Sequence, residues 1–465
     1  MIKVSNHYIS KFSVLLAGIE AIVLLGVFFA GAVIRFMQWD SATPEQLITQ
    51  LPGAITFTFV IIASMAALGM YQLEIKQDFE GILLQLLPSL TLGFSVIALI
   101  FYVFPDLYFG RGLLAIVMLL ALLLILFIRL IFFRWSGLDN LRPRALVLGA
   151  GASAGELFEL IEKNTTLPNL KIIGFIPFDK ENRLVPVDRI IPKASSLISL
   201  AIQHDAGEII VATRERRGGT FPIQELLECK INGIKITDLA GFFEKESGIL
   251  QMDSLYPSWL VFGSGFNQGA LRTTIKRAFD IFASLLLLIA TLPIMLVTAL
   301  LIMIEDGRPV FYRQERVGLA GKTYHVIKFR SMFNNAEKAG KPQWATTDDP
   351  RSTRVGKIIR KLRIDELPQI INVLKGEMSF VGPRPERPHF VDMLSAQVPY
   401  YNMRHSIKPG ITGWAQVRYP YGASLEDAIE KLQYDLYYVK NHSLFLDFII
   451  LIDTIGVVLL RKGSR

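Results

Sequence analysis

Two adjacent carboxylates, Asp365 and Glu366, stand at the end of a run of bases made of Arg354, Lys357, Arg360, Lys361 and Arg363. Neighbouring side chains on a helix point about 100° apart, so the pair does not duplicate one function. One acid can face a substrate while the other holds a metal. Ammonium and guanidinium groups around them would bind phosphate and keep the carboxylates ionised. Mg²⁺ suits such a setting, because it is commonly held by one or two carboxylates together with substrate phosphates. An Asp-Glu step alone is most often part of a solvated, mixed-charge helix. The weight here comes from its company: an uncharged apolar run upstream, Ile281–Ile304, a basic surface, and "GPRP" (Gly382–Pro385) downstream.

Composition narrows the class of protein. The 465 residues are 51% hydrophobic and only 19% charged, whereas soluble domains run near one quarter charged. The single cysteine, Cys229, excludes a disulfide framework or a cysteine metal site. The six histidines show no paired ligand spacing, which argues against zinc. Residues 271–465 hold 28 Lys+Arg and 18 Asp+Glu, a net +10 in a chain whose total is +8. That excess points to anionic partners such as phosphates or lipid head groups. A nucleic-acid partner ranks last, because the bases are interleaved with acids rather than gathered in a stripe.

Several elements must position this centre. Apolar runs near 12–37, 51–70, 82–104 and 112–133 each approach the roughly 20 residues that cross a bilayer core. The first is too long for a cleavable signal peptide and lacks a small-residue cleavage site. Lys3 and Lys11 precede the set, and Arg134, Arg142 and Arg144 follow it, so the positive-inside rule puts both ends of this four-helix transmembrane bundle (1–135) in the cytoplasm. Arg35 and Arg111 pull the other way.

A second texture begins at Arg142. "RALVLGAGASAGELFELIEK" reads as strand, glycine turn and helix, and "KIIGFI", "GEIIVAT" and "GIKITDL" read as further strands with helices between them. Alternation of this kind predicts a parallel, doubly wound α/β sheet, here a Rossmann-like domain over 142–255. Gly149 and Gly151, with Ala154 in the third place, match the turn of a dinucleotide fingerprint. No acid closes the second strand, and Asp179 comes late, so a regulatory nucleotide or a structural role is expected rather than NAD.

The residues from 271 onward carry a resemblance. "VFYRQERVG" (Val310–Gly318), "KFRSM" (Lys328–Met332), "DELPQIINVLKGEMSFVGPRPE" (Asp365–Glu386) and "KPGITGWAQV" (Lys408–Val417) resemble, in order, the bacterial sugar transferase superfamily, the monotopic polyprenyl-phosphate phosphoglycosyl transferases. The closing "YPYGASLEDAIEKLQYDLYYVKNHSLFLD" is similar to its exopolysaccharide-associated branch, and the apolar runs and α/β domain ahead match the large form. The resemblance implies a mainly α catalytic domain over 271–465. It also implies a two-step transfer of hexose-1-phosphate from a UDP-sugar to undecaprenyl phosphate. In that reaction Asp365 is the nucleophile, Glu366 the Mg²⁺ ligand, and Arg384, Arg360, Lys328 and Arg330 the phosphate- or substrate-binding bases. A homodimer at the inner membrane, catalytic face to the cytoplasm, follows the same likeness. The alternative is a membrane-bound nucleotide sensor or scaffold whose transferase domain is inactive.

Topology adds a constraint. Nucleotide-sugars are cytoplasmic, so a fifth crossing by Ile281–Ile304 would strand Asp365 on the far side. The run is therefore expected to enter and leave on one face as a re-entrant helix over 278–304, broken at Pro293, which lacks a backbone donor and clashes with the preceding turn. The resembling family carries Ser-Pro at this break; here Thr291 stands two residues before the proline. Lys276 and Arg277 are expected at the lipid interface, and the apolar C-terminal stretch, interrupted by Asp447 and Asp453, is expected to lie along that interface. Trp414 and Tyr434 are read as packing residues and His325 as a strand residue. Gly410 and Gly413 are read as permitting unusual backbone angles.

Overall fold

The computed structural model describes residues 1–36, 44–72, 79–135, 142–163, 170–177, 184–193, 195–213, 221–255, 265–266, 269–333, 351–419, 422 and 424–459. Asp179 lies outside the described residues. The described segments form two compact units: Met1–Lys3 with Tyr8–Ser247, and Val4–His7 with Gly248–Arg465.

In the first unit the apolar runs are helices α1 (Lys11–Phe36), α2 (Pro44–Ala67), α3 (Phe79–Val103) and α4 (Arg111–Trp135). With Ala270–Asp306 of the second unit, the described residues include five helices long and apolar enough to cross a membrane by length and composition. The chain is a membrane protein. The first four share a core that includes Leu24, Phe28, Phe57, Ile61, Leu86 and Val117, while Ile22, Phe59, Leu84 and Phe127 face outward. One charged pair lies inside this core. Arg129 of α4 donates from Nε to Glu20 Oε1 of α1 at 2.7 Å and from Nη2 to Oε2 at 3.1 Å. Its Nη1 donates to the Met70 carbonyl, and the Tyr71 hydroxyl completes Glu20. Both charged side chains are fully buried.

The parallel sheet has strands β1 (Arg144–Leu148), β2 (Lys171–Ile176), β3 (Ala206–Val211) and β4 (Lys235–Asp238), in the order β2-β1-β3-β4. The first strand sits inside and its successors fall on either side of it, the arrangement expected of a doubly wound sheet. Gly149 lies just past β1 at φ +123°, and a Cβ there would come within 3.0 Å of the Ala212 carbonyl beyond β3. The turn thus demands glycine for its own geometry. Gly151 precedes the helix Ala152–Lys163 and accepts from Gly155 N–H.

The second unit is mainly helical. It includes Gly248–Leu255, placed with the sheet domain by sequence, because the Leu250 amide bonds the Gln433 carbonyl and Leu250 is in the catalytic core. Helix α5 (Ala270–Asp306) is one continuous 37-residue helix, about 55 Å long at 1.5 Å per residue. The expected interruption at Pro293 is not present. The proline is accommodated inside the helix, and Thr291 Oγ1 turns back to the Leu287 carbonyl at 2.7 Å. Lys276 pairs with Asp447 at 2.6 Å, Arg277 caps the Val373 and Leu374 carbonyls, and Asp280 accepts from Ser379 Oγ and the Phe380 amide.

Further on, residues 289–294 are largely exposed, while Met295, Ile302 and the end of the helix pack back on Phe329 and Ile359. The C-terminal helix α6 (Leu444–Leu459) buries part of its surface in the domain and leaves Phe448, Ile455 and Val458 exposed. Leu446, Asp447 and Ile450 are buried, and its two acids are paired inside the domain, Asp447 with Lys276 and Asp453 with Arg418.

Candidate active site

The acid pair lies on a 3₁₀ stretch, Ile364–Gln369, rather than an α-helix. The chain enters it from helix Arg354–Lys361 through Arg363, which adopts a left-handed φ of 59°. A non-glycine residue there costs on the order of 1 kcal/mol or more, a strain found often at functional positions. The turn throws Asp365 and Glu366 into a cavity of about 600 Å³, within the range of small-molecule sites.

Three segments converge on Glu366. Lys328, on the strand Thr323–Phe329, donates Nζ to Glu366 Oε1 at 2.9 Å, and Arg384 of "GPRP" donates Nη2 to the same oxygen at 2.8 Å. The strand is fixed to the acid-bearing segment by Asn372. This fully buried side chain accepts from the Ile327 amide and donates to the His325 carbonyl and to Glu377. His325 is indeed a strand residue.

Asp365, by contrast, takes no hydrogen bond or ion pair from the described residues. Burial, and then the Glu366 charge beside it, push its carboxyl up to about 6, against the pull of Lys328, Arg360 and Arg363. Burial acts the same way on Glu366, but the charges and hydrogen bonds of Arg384 and Lys328 overcome it and hold Glu366 well below the usual carboxylate range. Two adjacent acids are thus driven apart in basicity by where the cations point.

The "GPRP" turn is built as a rigid platform. The Gly382 amide bonds the Thr412 carbonyl, and the Gly410 amide bonds the Pro383 carbonyl. A Cβ on Gly410 would lie 2.1 Å from Gly382 N, and one on Gly413 would lie 2.2 Å from Gly382 O. Gly413 has an extended φ of −162°, and neither glycine takes a positive φ. Close backbone approach, not unusual angles, is therefore why these positions are glycine. Two further arginines hold the turn from behind: Arg316 Nη1 donates to the Pro385 carbonyl at 3.1 Å, and Arg404 Nη2 to the Arg384 carbonyl at 2.8 Å. Arg404 is itself buried against Asp435 at 2.7 Å and the Tyr401 hydroxyl.

The remaining expected site residues are divided. Arg360 lines the cavity and bonds Ser352 Oγ at 3.0 Å. Arg330 also reaches the cavity wall, but its buried guanidinium ties down the end of α5 through the Asp306 and Gly307 carbonyls and the Asp306 carboxylate. Its placement is that of a brace. Pro293 is not among the cavity-lining residues, and Gly149 and Gly151 belong to the other unit. Trp414 packs as expected, stacked on Tyr437 with Nε1 bonded to the Gly248 carbonyl.

Arg316, Asn372, Arg404 and Asp435 were not singled out from the sequence. For Asp435 a signal existed: it interrupts the apolar face Leu432, Leu436, Val439 of the helix Leu425–Asn441. An acid in such a stripe must be partnered when buried. Replacing Arg384 by Lys keeps the charge but removes the guanidinium fork. Turnover of Arg384→Lys should fall about 10- to 100-fold, the worth of a charged hydrogen bond of roughly 1.5–3 kcal/mol, with unchanged thermal unfolding as the control.

A Mg²⁺ ion can be tested against these donors. Among the described residues no group of three or more His, Cys, Asp or Glu gathers into a metal cage. Two carboxylates beside phosphate-binding cations are, however, the kind of donor set Mg²⁺ uses when substrate phosphates complete its shell. The residues fit a substrate-dependent ion and not a permanent structural one.

The bacterial sugar transferase family model matches residues 271–461, and a CoA-binding domain family model matches 66–218. A UDP-N-acetylgalactosamine-undecaprenyl-phosphate N-acetylgalactosaminephosphotransferase of Aeromonas hydrophila is 42% identical over 240 residues, covering 52% of this chain and 56% of that protein. The uncharacterized sugar transferase EpsL of Bacillus subtilis is 43% identical over 191 residues, 41% of this chain and 90% of that protein. The exopolysaccharide production protein PSS of Rhizobium leguminosarum is 41% identical over 198 residues, 41% of this chain and 98% of that protein. The chain thus spans just over half the length of the Aeromonas relative but nearly all of the two shorter ones. With the paired acids, the "GPRP" platform and the matched segments all in one unit, this chain belongs to the bacterial sugar transferase family.

Proposed function

We propose that the chain transfers a sugar-1-phosphate from a UDP-sugar to undecaprenyl phosphate, releasing UMP, as the first step in building an exopolysaccharide-type glycan. The observation that carries this reading is the unequal treatment of the two acids. Glu366 is held by two cations, whereas Asp365, among the described residues, has no hydrogen-bond donor and is made more basic. A nucleophile needs an available lone pair, and charge cancellation must come from its neighbours.

In the first step an Asp365 oxygen bonds the β-phosphorus. The bond from that phosphorus to the bridging oxygen breaks, and UMP leaves with the electron pair. In the second step a phosphate oxygen of the acceptor bonds the same phosphorus, and Asp365 departs as a carboxylate. Lys328, Arg360 and Arg384 face the negative charge that both steps bring together. Mg²⁺, held by Glu366 and phosphate oxygens, would supply further charge neutralisation.

The fold supports a catalytic unit on one face of the membrane. Residues of the catalytic unit pack on α5 near its start, at Asp280, and near its end, at Ile302 and Asp306, while most of residues 289–294 are exposed. A helix that crossed the bilayer would draw the polar partners of one end across with it, at several kcal/mol for each unsatisfied group. We read α5 as dipping into one leaflet, with the catalytic face cytoplasmic, α1–α4 crossing, and the protein acting as a homodimer.

The test is direct. Purified protein given a panel of UDP-sugars, undecaprenyl phosphate and Mg²⁺ should release UMP with one or a few of them. No release with any donor overturns the proposal. The acid limb of kcat/KM supplies a second check. Attack requires ionised Asp365, whose raised pKa means that activity is present above it and lost as pH falls through it. The free-enzyme limb should therefore lie near 6, above the ordinary aspartate range, and a limb near 4 would contradict the assignment.

A further inference from the structure

Val4–His7 belongs to the catalytic unit, although the matched family segment begins only at residue 271. Ser5 and Asn6 take left-handed φ values of 46° and 68°, a conformation that reverses a chain within two residues. The turn delivers His7 to a buried position, where its Nδ1 lies 2.8 Å from the Tyr437 hydroxyl. Burial, and then the Arg418 charge, pull the imidazole down to about 4. The ring is therefore neutral at physiological pH, and its Nδ1 can accept from the hydroxyl. The same ring meets Trp414 edge-on, with centroids 5.4 Å apart.

Trp414 is gripped by other groups of the unit as well. Tyr437 stacks on it at 6.0 Å, and its Nε1 donates to the Gly248 carbonyl at 2.8 Å. The Arg418 guanidinium lies 4.4 Å from its ring centre and pairs with Asp453 of α6 at 2.9 Å. Trp414 opens a helix of only five residues, Trp414–Arg418. A helix this short does not hold itself, so its position comes from side-chain packing. Ala415, Gln416 and Val417 of that helix, with Tyr419 just after it, line the cavity that holds Asp365. Gln416 and Tyr419, with Ser424 and Lys431 beside them, give this wall polar groups that suit a nucleotide-sugar better than a hydrocarbon. His7 is not among the lining residues.

Resting on the transferase reading, we propose that His7 is a positioning residue for donor binding: through Tyr437 and Trp414 it sets the helix Trp414–Arg418, and with it the wall against which the UDP-sugar rests. A side chain from the opposite end of the sequence thus completes the catalytic unit without touching substrate.

Kinetics separate this role from simple stabilisation. His7→Ala removes both the hydrogen bond and the edge contact. KM for the UDP-sugar, measured by UMP release at saturating undecaprenyl phosphate, should rise about tenfold, the combined worth of a neutral hydrogen bond and an aromatic contact. The kcat should stay within about threefold, because Asp365, Lys328 and Arg384 are untouched. His7→Asn keeps an acceptor in the place of Nδ1 and should return KM to within about threefold of the parent. Combining His7→Ala with Tyr437→Phe should raise KM little beyond the larger single effect, since both changes break one bond. A loss of kcat at unchanged KM, matched by easier thermal unfolding, would make His7 a stabiliser of the fold only and overturns the proposal. So does a His7→Asn variant as impaired as His7→Ala. Hydrogen exchange over residues 414–419 is a check that needs no turnover. It should quicken by about tenfold in His7→Ala, and unchanged exchange counts equally against the proposal. If the unaltered protein releases no UMP with any donor, the transferase reading fails instead, while exchange still decides whether His7 holds the helix.

Discussion

Asp365→Asn should abolish UMP release, by on the order of 10⁴-fold or more, as expected when a covalent nucleophile is removed. The amide is nearly the same size and keeps the 3₁₀ turn, so the protein should fold and bind donor. Glu366→Gln should be milder, about 10²- to 10³-fold, in the range for losing one preorganised electrostatic partner. Its loss would leave Lys328 and Arg384 without their shared acceptor. The decisive measurement is intact-protein mass after mixing with UDP-sugar in the absence of acceptor. A phosphosugar adduct should form on the parent and on Glu366→Gln, and not on Asp365→Asn. An adduct that survives in Asp365→Asn would transfer the nucleophile's role elsewhere.

The second large effect lies far from the chemistry. Glu20→Gln should destabilise the helical bundle by about 3–5 kcal/mol, because it strands Arg129 as an uncompensated charge in a fully buried site. The Arg129 guanidinium donates to both Glu20 oxygens and to the Met70 carbonyl. The double replacement Glu20→Leu with Arg129→Met should recover most of the loss, since it removes both charges and leaves apolar volume. Unfolding in detergent, followed for single and double variants, measures the coupling. Additive effects would mean that the pair contributes nothing jointly.

The two predictions separate what can be read at different levels. Asp365 and Glu366 were visible at once, because a doubled acid after a basic run, followed by "GPRP", is a local pattern. The apolar helices were visible for a similar reason: length and the absence of charge are properties of a contiguous stretch. The doubly wound sheet followed from alternation along the chain, and the strands Lys171–Ile176 and Ala206–Val211 fell within a residue or two of expectation.

Errors arose where a residue's role depends on a distant partner. Lys276 and Arg277 could be read only as surface bases until folding brought Asp447 and the Val373 carbonyl beside them. Asp447 and Asp453 looked like unpartnered interruptions of an apolar helix until folding brought Lys276 and Arg418 to them. Pro293 looked like a break, yet a proline removes only one helical hydrogen bond, and the packing of Met295 and Ile302 on Phe329 and Ile359 supports the helix beyond it. Gly410 and Gly413 were recognised as necessary but for the wrong reason, since the Gly382 backbone they accommodate is some thirty residues away in sequence.

The sequence by itself determined which chemical groups are available: an acid pair, phosphate-binding bases and long hydrocarbon surfaces, all encoded within short windows. Only the tertiary structure decided how they differ in use. It sent Lys328 and Arg384 to one oxygen of Glu366 and none to Asp365, and it closed Arg404 and Asp435 behind the "GPRP" turn. It also brought residues of α5 and α6 into the lining of the cavity that holds Asp365. The reason is physical: composition fixes a group's charge, but its basicity and reach depend on the few ångströms separating it from residues that the chain meets only after folding.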